Sequence, residues 1–349
     1  MSFRRFVYLV TDDCRWRDFV LRRIDMSRFF LPSDLRDVLF PGPPEVEFAH
    51  LPPPEMRFSP VHSRFYKGSM NFMLLGRDKV LAADNTGRTV LYDPEFQSVR
   101  TMPSLTEPKH MPASLNVGGN LYILDTAFHL EKDPKFCFEG ITFKEDGTAS
   151  GHRDWQSYPL PPPPYVDAYI HGIGDPCHIS SYAVVDGPNS PNIWISNRNL
   201  GTHSFDTSAR LWTKAGDRWL LPFSGHAQYA PELKLWFGLR SSDYCDTLCA
   251  SDLTATPPKL INLWKDPAPQ VWVCRSSYLV HLGCSKFCLA RFFSIIRDRE
   301  SLVCDRFVEF SGIEVIRSEA DGDAGVELRV EMHRAEVYGL VDKLVHWVL

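Results

Sequence analysis

The sequence contains no long hydrophobic run. The first apolar stretch, residues 6–10, is too short for the core of a signal peptide, and nowhere do 18 apolar residues follow one another. No Asn-x-Ser/Thr acceptor for N-glycosylation occurs, because Asn85 and Asn189 both lack the required third residue. Arginines crowd residues 1–25, as in a transit peptide, but four aspartates in the same segment argue against one. We therefore expect no membrane span and a protein of the cytoplasm or nucleus.

The sequence also lacks an excess of charge of one sign. Its 38 basic and 43 acidic residues give a net charge of −5, so nothing global favours a nucleic acid or an anionic membrane as partner. The 21 glycines and 27 prolines are too few for a low-complexity chain, and 44% hydrophobic residues can bury a sizeable core. The composition predicts a folded protein that binds neither nucleic acid nor membrane.

The number of cysteines does not suit a disulfide framework. The nine cysteines are an odd number in a chain of 349 residues, which favours free thiols in a reducing compartment. Cys245 and Cys249 are four apart, as are Cys284 and Cys288, and two such pairs could offer four thiolates to zinc. On strands, however, residues four apart share a face and act as small core residues. We predict neither zinc nor disulfides.

Familiar catalytic motifs are incomplete. Residues 283–287 resemble a nucleophile elbow but end in Phe287 where the strained turn needs glycine. Residues 172–177 contain two of the three glycines of a dinucleotide loop, but Pro176 and the missing third glycine exclude the motif. Four histidines also lack the spacing of a metal site: His171, His178, His203 and His226. We assign no catalytic residue, no metal ligand and no cofactor.

Alternation of apolar and polar residues dominates what is present. Residues 326–332 alternate without a break and follow residues 313–317 across an Asp/Gly-rich loop, which predicts a hairpin. Residues 80–84 and 89–93 flank a tight turn and predict another strand pair. The chain is therefore expected to consist mainly of short antiparallel strands.

Two proline-rich stretches interrupt this pattern, residues 41–60 and residues 159–164. Proline cannot join a central strand, so we expect loop insertions at both places. Strand-like sequence continues on either side of each stretch. We therefore predict a single domain over residues 1–349.

The C-terminal segment has a different periodicity. Its apolar residues recur at helical spacing: Val337, Leu340, Val341, Leu344, Val345 and Val348. This spacing indicates a short amphipathic helix over residues 337–348. Gly339 and the valines lower the helix propensity, so a strand remains the alternative.

One pattern recurs along the chain. A strand ends in aspartate, a short polar loop follows, and a further strand carries an aromatic residue or methionine. Three stretches fit the first of these two strands, residues 91–93, 204–206 and 250–252, and three more are weaker copies, residues 22–25, 139–143 and 306–310. Repeated four-stranded units of this kind are what β-propeller blades require. We predict an all-β propeller of six blades, each with four antiparallel strands, in which these stretches are the third strands.

A resemblance supports this fold. Residues 116–125, NVGGNLYILD, look like the kelch signature, in which paired glycines open a blade strand. Together with residues 5–10, 21–30 and 87–94, they resemble the grass-expanded plant family called domain of unknown function 1668, over most of the chain. The resemblance implies a kelch-like propeller. It assigns no chemistry, because the family has no defined activity.

The function predicted from the sequence is protein binding by a non-enzymatic, monomeric, scaffold-like or adaptor-like propeller. Arginine, asparagine and aromatic side chains near blade loops can anchor an interface, and the candidates are Arg198, Asn199, Trp236, Arg240, Arg275 and Tyr278. The alternative is an enzyme with its active site at the central channel. Converging histidines or carboxylates with shifted pKa values would favour the enzyme, and an apolar–aromatic patch with an arginine rim would favour binding.

A propeller must also be sealed where its first and last blades meet, because open strand edges invite unwanted pairing. Residues 6–10 are apolar throughout, as expected of a strand covered on both faces. We therefore expect residues 5–10 to pair within the sheet formed by residues 306–332, closing the ring with the C-terminal blade.

Overall fold

The structure is a computed structural model. It describes residues 2–13, 18–30, 49–62, 68–127, 133–145, 151–166, 178–187, 190–216, 219–241, 246–264, 272–298, 303–319, 326–340 and 346–349. Almost all regular structure in these ranges is β-strand, and the chain divides into two compact units. No helix in the described part is long and apolar enough to cross a membrane.

The first unit comprises Met1–Phe58, Gln228–Asp252 and Leu260–Leu349 and contains two four-stranded sheets and a set of four neighbouring strands from an eight-stranded sheet. Their strands in sheet order are β24 (His346–Val348), β1 (Phe6–Asp13), β2 (Asp18–Asp25) and β3 (Pro54–Phe58); β16 (Ser224–Ala230), β17 (Leu235–Arg240), β18 (Thr247–Ser251) and β19 (Leu260–Trp264); and β20 (Val273–Gly283), β21 (Lys286–Asp298), β22 (Val303–Glu319) and β23 (Val326–Gly339). A 3-10 helix, Met26–Phe29, follows β2.

The second unit comprises Ser59–Ala227 and Leu253–Lys259 and contains two more four-stranded sheets and the other four strands of the eight-stranded sheet. Their strands are β4 (Met70–Leu75), β5 (Lys79–Asp84), β6 (Thr89–Asp93) and β7 (Ser98–Met102); β8 (Pro112–Val117), β9 (Asn120–Asp125), β10 (Phe138–Glu145) and β11 (Arg153–Pro159); and β12 (Ile179–Asp186), β13 (Pro191–Asn197), β14 (Gly201–Asp206) and β15 (Leu211–Gly216). The first residues of β16 also belong to this unit and pair with β12 in parallel, with His226 opposite Tyr182.

These sheets have the topology of propeller blades, because strands that follow one another in sequence are hydrogen-bonded neighbours. The predicted fold class, an all-β propeller with blades of four antiparallel strands, is confirmed. The six stretches predicted as third strands lie in that position of their sheets, in β2, β6, β10, β14, β18 and β22.

An aspartate at the end of a third strand closes the turn to the fourth strand. Asp93 Oδ1 accepts a hydrogen bond from the Glu95 amide at 3.1 Å, and Asp206 Oδ1 accepts one from the Ser208 amide at 2.8 Å. Asx turns of this kind let a short side chain replace a backbone acceptor. In the second turn, Arg210 then adopts a left-handed backbone with φ 56°. The recurring motif in the sequence is therefore a turn signal.

The interior of each unit is lined by alternate apolar residues of its strands. In the first unit, Val7 and Leu9 of β1 are fully buried with Val280, Val308 and Phe310. In the second unit, one cluster joins the sheet of β4 to β7 with the sheet of β8 to β11: Met73, Leu75, Leu81, Ala83, Leu91, Met102, Leu105, Leu121, Ile123 and Ile141. Burial of this kind stabilises a fold by about 25 cal/mol for each Å² of apolar surface removed from water.

The predicted C-terminal helix is wrong in the described residues. Residues 337–339 are the end of β23, and residues 346–348 form β24, which pairs with β1. Residues 341–345 lie outside the described ranges. Valine favours strands because its branched Cβ packs well on a pleated surface, and the edge of β1 offers the hydrogen bonds.

The expected pairing of residues 5–10 with residues 306–332 is also wrong. Residues 306–332 do contain the predicted hairpin, with Ile316 opposite Arg329, but this hairpin belongs to the sheet of β20 to β23. β1 has β2 on one side and β24 on the other, so neither of its edges is left for β22. The N-terminal strand therefore meets the C-terminus itself.

The proline-rich stretches are only partly loops. Residues 54–58, inside the expected insertion 41–60, form β3, while residues 41–48 lie outside the described ranges. Pro159 ends β11. Both strands are at the edge of their sheets, where proline is tolerated because no partner strand needs its missing N–H.

We expect removal of residues 346–349 to destabilise the first unit by about 2–4 kcal/mol. Val348 is buried, and the backbone N–H and C=O of Leu349 bond to the C=O and N–H of Tyr8 at 2.9 and 3.0 Å. The truncation would also expose an edge of β1. Thermal melting followed by circular dichroism should show an earlier transition than in the full chain. An unchanged cooperative transition would mean that β24 is peripheral.

Candidate functional site

Four of the six residues predicted to contact a partner are exposed. Arg198 and Asn199 lie in the turn between β13 and β14 of the second unit. Arg240 ends β17, and Arg275 lies on β20 with its Nε 2.8 Å from Ser294 Oγ. These side chains are available to a partner, but no described contact joins them into one patch.

The two aromatic candidates are packed inside the first unit. Trp236 is only 3% exposed, and its ring lies 4.5 Å from that of Tyr229. The hydroxyl of Tyr278 donates to the backbone oxygen of His346 at 3.2 Å, and burial raises its pKa to about 12. Trp236 therefore serves the core, and Tyr278 fastens the C-terminal strand.

An aromatic pair with one exposed and one partly buried ring lies on the β10–β11 hairpin of the second unit. Phe143 of β10 is directly opposite Trp155 of β11, with ring centroids 5.3 Å apart, and Phe143 is 39% exposed. Arg153 is two residues before Trp155 and so lies on the same face of the strand. Its guanidinium carbon is 5.3 Å from the centre of the Phe143 ring, within the range of a cation–π contact.

A second arginine reaches this hairpin from β7. Arg100 Nη2 is 2.6 Å from Asp154 Oδ1, and both side chains are more than half exposed, at 53% and 58%. Two residues along β7, Met102 is buried in the cluster against which Trp155 packs, so this face of β7 is turned towards the hairpin. We call Arg100, Phe143, Arg153 and Trp155 the hairpin surface, and the Asp154 carboxylate that pairs with Arg100 alternates with Arg153 and Trp155 along β11.

A buried ion pair holds the base of the hairpin. The side chains of Lys109 and Glu139 are both 0% exposed, and Lys109 Nζ donates to Glu139 Oε1 and to the Phe136 carbonyl. Glu139 Oε2 accepts from the Thr106 amide at 2.9 Å and from Ser157 Oγ at 3.2 Å. This network ties β10 and β11 to the segment between β7 and β8. A buried charge pair is tolerated only when it is hydrogen-bonded in this way.

The opposite face of the hairpin carries two cations over one ring. Lys144 Nζ is 5.4 Å from the centre of the Tyr158 ring, and Arg210 Cζ is 4.7 Å from it. The ring lies directly over Gly140, where a Cβ would come within 2.6 Å of Tyr158 Cζ. Burial, together with the neighbouring Tyr158, raises the pKa of Tyr122 to about 12, so this phenol is uncharged near neutral pH. We call Lys144, Tyr158 and Arg210 the cation face.

The first unit contains one histidine–serine contact. His346 Nε2 and Ser276 Oγ are 2.7 Å apart, and the imidazole stacks on Phe292 with ring centroids 3.5 Å apart. Burial lowers the pKa of His346 to about 4, and the nearby Asp12 carboxylate only partly opposes that shift. The imidazole is therefore neutral at physiological pH and links β24 to β20.

The cysteines singled out in the sequence lie in different surroundings. Cys249 and Cys288 are buried in the interior, and burial raises the pKa of the Cys249 thiol to about 12. Cys284 is exposed in the β20–β21 turn, so residues 283–287 form a hairpin turn, whereas a nucleophile elbow joins a strand to a helix. Cys245 lies outside the described ranges. Within those ranges, no group of three or more His, Cys, Asp or Glu side chains is placed to hold a metal ion.

The hairpin surface is a feature that sequence reasoning missed. The recurring pattern in the sequence predicts a strand at residues 139–143, but it does not tell which of its side chains are exposed to solvent. The cation face depends in addition on Arg210, which is distant in sequence. Phe143 and Trp155 lie on strands that follow one another in sequence, so their pairing could have been predicted from a hairpin. Nothing in the sequence places Arg100 or Arg210 beside that hairpin.

A family model described as "Protein of unknown function (DUF1668)" matches residues 4–338. The chain belongs to this family. The match confirms the resemblance drawn from the sequence and, like that resemblance, brings no activity with it. No curated protein matches this member of the DUF1668 family.

Two solved structures are similar to this DUF1668 chain at low sequence identity. The WD40 domain of SCAP from fission yeast is 8% identical, with 95% of this chain and 89% of that chain covered and a TM-score of 0.34. Dihydro-heme d1 dehydrogenase NirN in complex with DHE is 13% identical, with 96% and 75% covered and a TM-score of 0.31. Both TM-scores are low, so the fold assignment rests on the sheets of this chain.

We expect His346 to make the first unit sensitive to acid. Its folded pKa of about 4 lies below the ordinary 6.5, so the unfolded chain takes up the proton first as the pH falls. Stability is therefore lost between about pH 6.5 and about pH 4, by about 2 kcal/mol at pH 4.5. Urea unfolding at pH 7 and at pH 4.5 measures this loss.

His346→Gln is the matched variant, because glutamine keeps an acceptor for Ser276 and does not titrate. This variant should lose about 2 kcal/mol less than the natural chain between the two pH values. Equal losses would show that His346 does not carry the effect.

Proposed function

We propose that this DUF1668 chain is a non-enzymatic β-propeller that binds another protein through its hairpin surface. The observation that supports the proposal is the Phe143–Trp155 pair. Arg153 lies over the exposed ring of Phe143, and Arg100 lies at the rim of the hairpin surface. Aromatic and arginine side chains dominate the binding energy of protein interfaces. They supply large contact areas and a planar cation that pairs with carboxylates.

The Arg100–Asp154 ion pair suits an interface that forms and dissociates. Both side chains are more than half exposed, and an exposed pair of this kind stabilises a protein by at most about 1 kcal/mol. A partner can therefore exchange one member of the pair for a group of its own at little cost. Trp155 differs from these residues because it also packs against the core, so the surface has a rigid centre and a replaceable rim.

Four residues predicted from the sequence remain proposed partner contacts: Arg198, Asn199, Arg240 and Arg275. Each of them is exposed within its own unit, which is what a partner contact requires. Trp236 is not among them because it is buried. We further propose that the protein acts as a monomer in the cytoplasm or nucleus and binds neither nucleic acid nor membrane.

Binding accounts for more of the structure than catalysis does. Ser276 and His346 are at the distance of a nucleophile and its base, which is the observation that an enzyme hypothesis would use. However, the imidazole stacks on Phe292 and the His346 carbonyl accepts from Tyr278, so this residue is occupied in holding β24. We therefore interpret the contact as an anchor for the C-terminal strand.

The experiment is affinity capture with the full chain from its own cells, followed by binding measurements with the purified partner. We expect the double variant Phe143→Ala/Arg153→Ala to bind the partner about tenfold more weakly, because it removes an interface anchor and the cation over it. Far-UV circular dichroism checks that the sheets remain intact.

Ile316→Ala is the matched control, since Ile316 is 38% exposed on β22 and is not part of the hairpin surface. It should retain the same proteins with the same affinity. If the double variant retained every protein that the natural chain retains, or if the control lost them too, the hairpin surface would not be the binding site.

A further inference from the structure

Three cations at the β10–β11 hairpin form no ion pair with any described carboxylate: Lys144, Arg153 and Arg210. Each instead lies over an aromatic ring, Arg153 over Phe143 and the other two over Tyr158. A cation over a ring keeps most of its charge available to a second, anionic group. The hairpin therefore presents positive charge that no described carboxylate neutralises through an ion pair.

The cation face is held in a fixed position. Lys144 Nζ and Arg210 Cζ are both within 5.4 Å of the Tyr158 ring centre, although Lys144 belongs to β10 and Arg210 to the β14–β15 turn. The ring covers Gly140, and the Arg210 amide donates to Asp206 at 2.8 Å within its turn. Two cations from different sheets thus share one aromatic ring whose position is fixed by the backbone beneath it.

The acidic residues near this face are committed elsewhere or point away. Asp154 is directly opposite Lys144 in the strand register, but its carboxylate bonds to Arg100. The carboxylate of Asp206 accepts hydrogen bonds from its own turn, which lower its pKa. Glu145 alternates with Lys144 along β10, so it lies on the face of Phe143. Positive charge therefore dominates the cation face.

We propose that Lys144 and Arg210 bind carboxylates of an acidic segment in the partner protein. This inference rests on the proposed function, and it names the chemistry of the partner at the same hairpin. A partner with acidic side chains would meet Lys144 and Arg210 on one face of the hairpin, while its apolar side chains meet Phe143 and Trp155 on the other. Opposite charges at an interface speed association and exclude wrong partners.

The test measures fluorescence anisotropy of a labelled peptide of about ten residues, alternating glutamate and leucine, with the purified full chain at low ionic strength. Exposed ion pairs contribute up to about 1 kcal/mol each, so we expect Lys144→Glu/Arg210→Glu to weaken binding about tenfold or more. The charge-preserving pair Lys144→Arg/Arg210→Lys should stay within about twofold of the natural chain.

Arg88→Glu/Lys234→Glu is the matched control. It changes the net charge by the same amount, Arg88 is exposed in the β5–β6 turn, and Lys234 has a left-handed backbone like that of Arg210, with φ 55°. This control should bind the peptide as the natural chain does. Far-UV circular dichroism of both reversal variants keeps a loss of folding apart from a loss of binding.

Three results would overturn the inference: no binding of the peptide to the natural chain, unchanged binding by Lys144→Glu/Arg210→Glu, or an equal loss in the control. Tighter binding of a labelled oligouridylate through the same two residues would also overturn it, in favour of nucleic acid.

The two experiments also separate this inference from the proposed function. If the peptide does not bind while Phe143→Ala/Arg153→Ala still loses the captured partner, only the acidic character of the partner segment is wrong. If the capture result is negative and the peptide result positive, the proposed function fails instead.

Discussion

The ion pair between Lys109 and Glu139 is the constraint on which the second unit depends. Both side chains are withdrawn from water, so neither charge is tolerated without the other and without the carbonyl and amide groups around them. Because Lys109 follows β7 in the chain while Glu139 and Ser157 belong to β10 and β11, the pair fixes two neighbouring sheets to one another. Removing one partner from such a pair destabilises a protein by about 3–5 kcal/mol.

The surface that we propose for binding follows from this constraint. Arg100 extends from one of the two sheets and Phe143 and Trp155 from the other, so the patch exists only while the sheets keep their relation. The same hairpin carries Lys144 on its opposite face, beside Arg210. This strand pair thus offers aromatic area on one face and, on the other, positive charge that forms no ion pair with a described carboxylate. A rigid element of this kind loses little entropy when it meets a partner.

The sequence was informative where structure is decided locally. The third strands could be recognised because alternation and a turn-closing residue such as Asp93 or Asp206 act over a few residues. The strand at residues 346–348 could not be recognised, since its partner β1 lies at the other end of the chain and the spacing of its valines suits a helix equally well. Trp236 was a candidate interface anchor because its residue type does not tell whether the side chain is buried. Lys109 and Glu139 look like surface residues in the sequence, and only the packing of two sheets makes them a buried pair.

The central claim is that the buried ion pair holds the hairpin that carries the binding surface. Amide hydrogen exchange of the full chain tests it most directly, with Glu139→Gln compared with the natural protein and with Lys135→Met, which removes an exposed charge from the same region. The account predicts faster exchange in residues 138–145 and 153–159 of Glu139→Gln, with the sheets of the first unit unchanged and Lys135→Met like the natural chain. Unchanged exchange in the hairpin, or equally faster exchange throughout the chain, would contradict it.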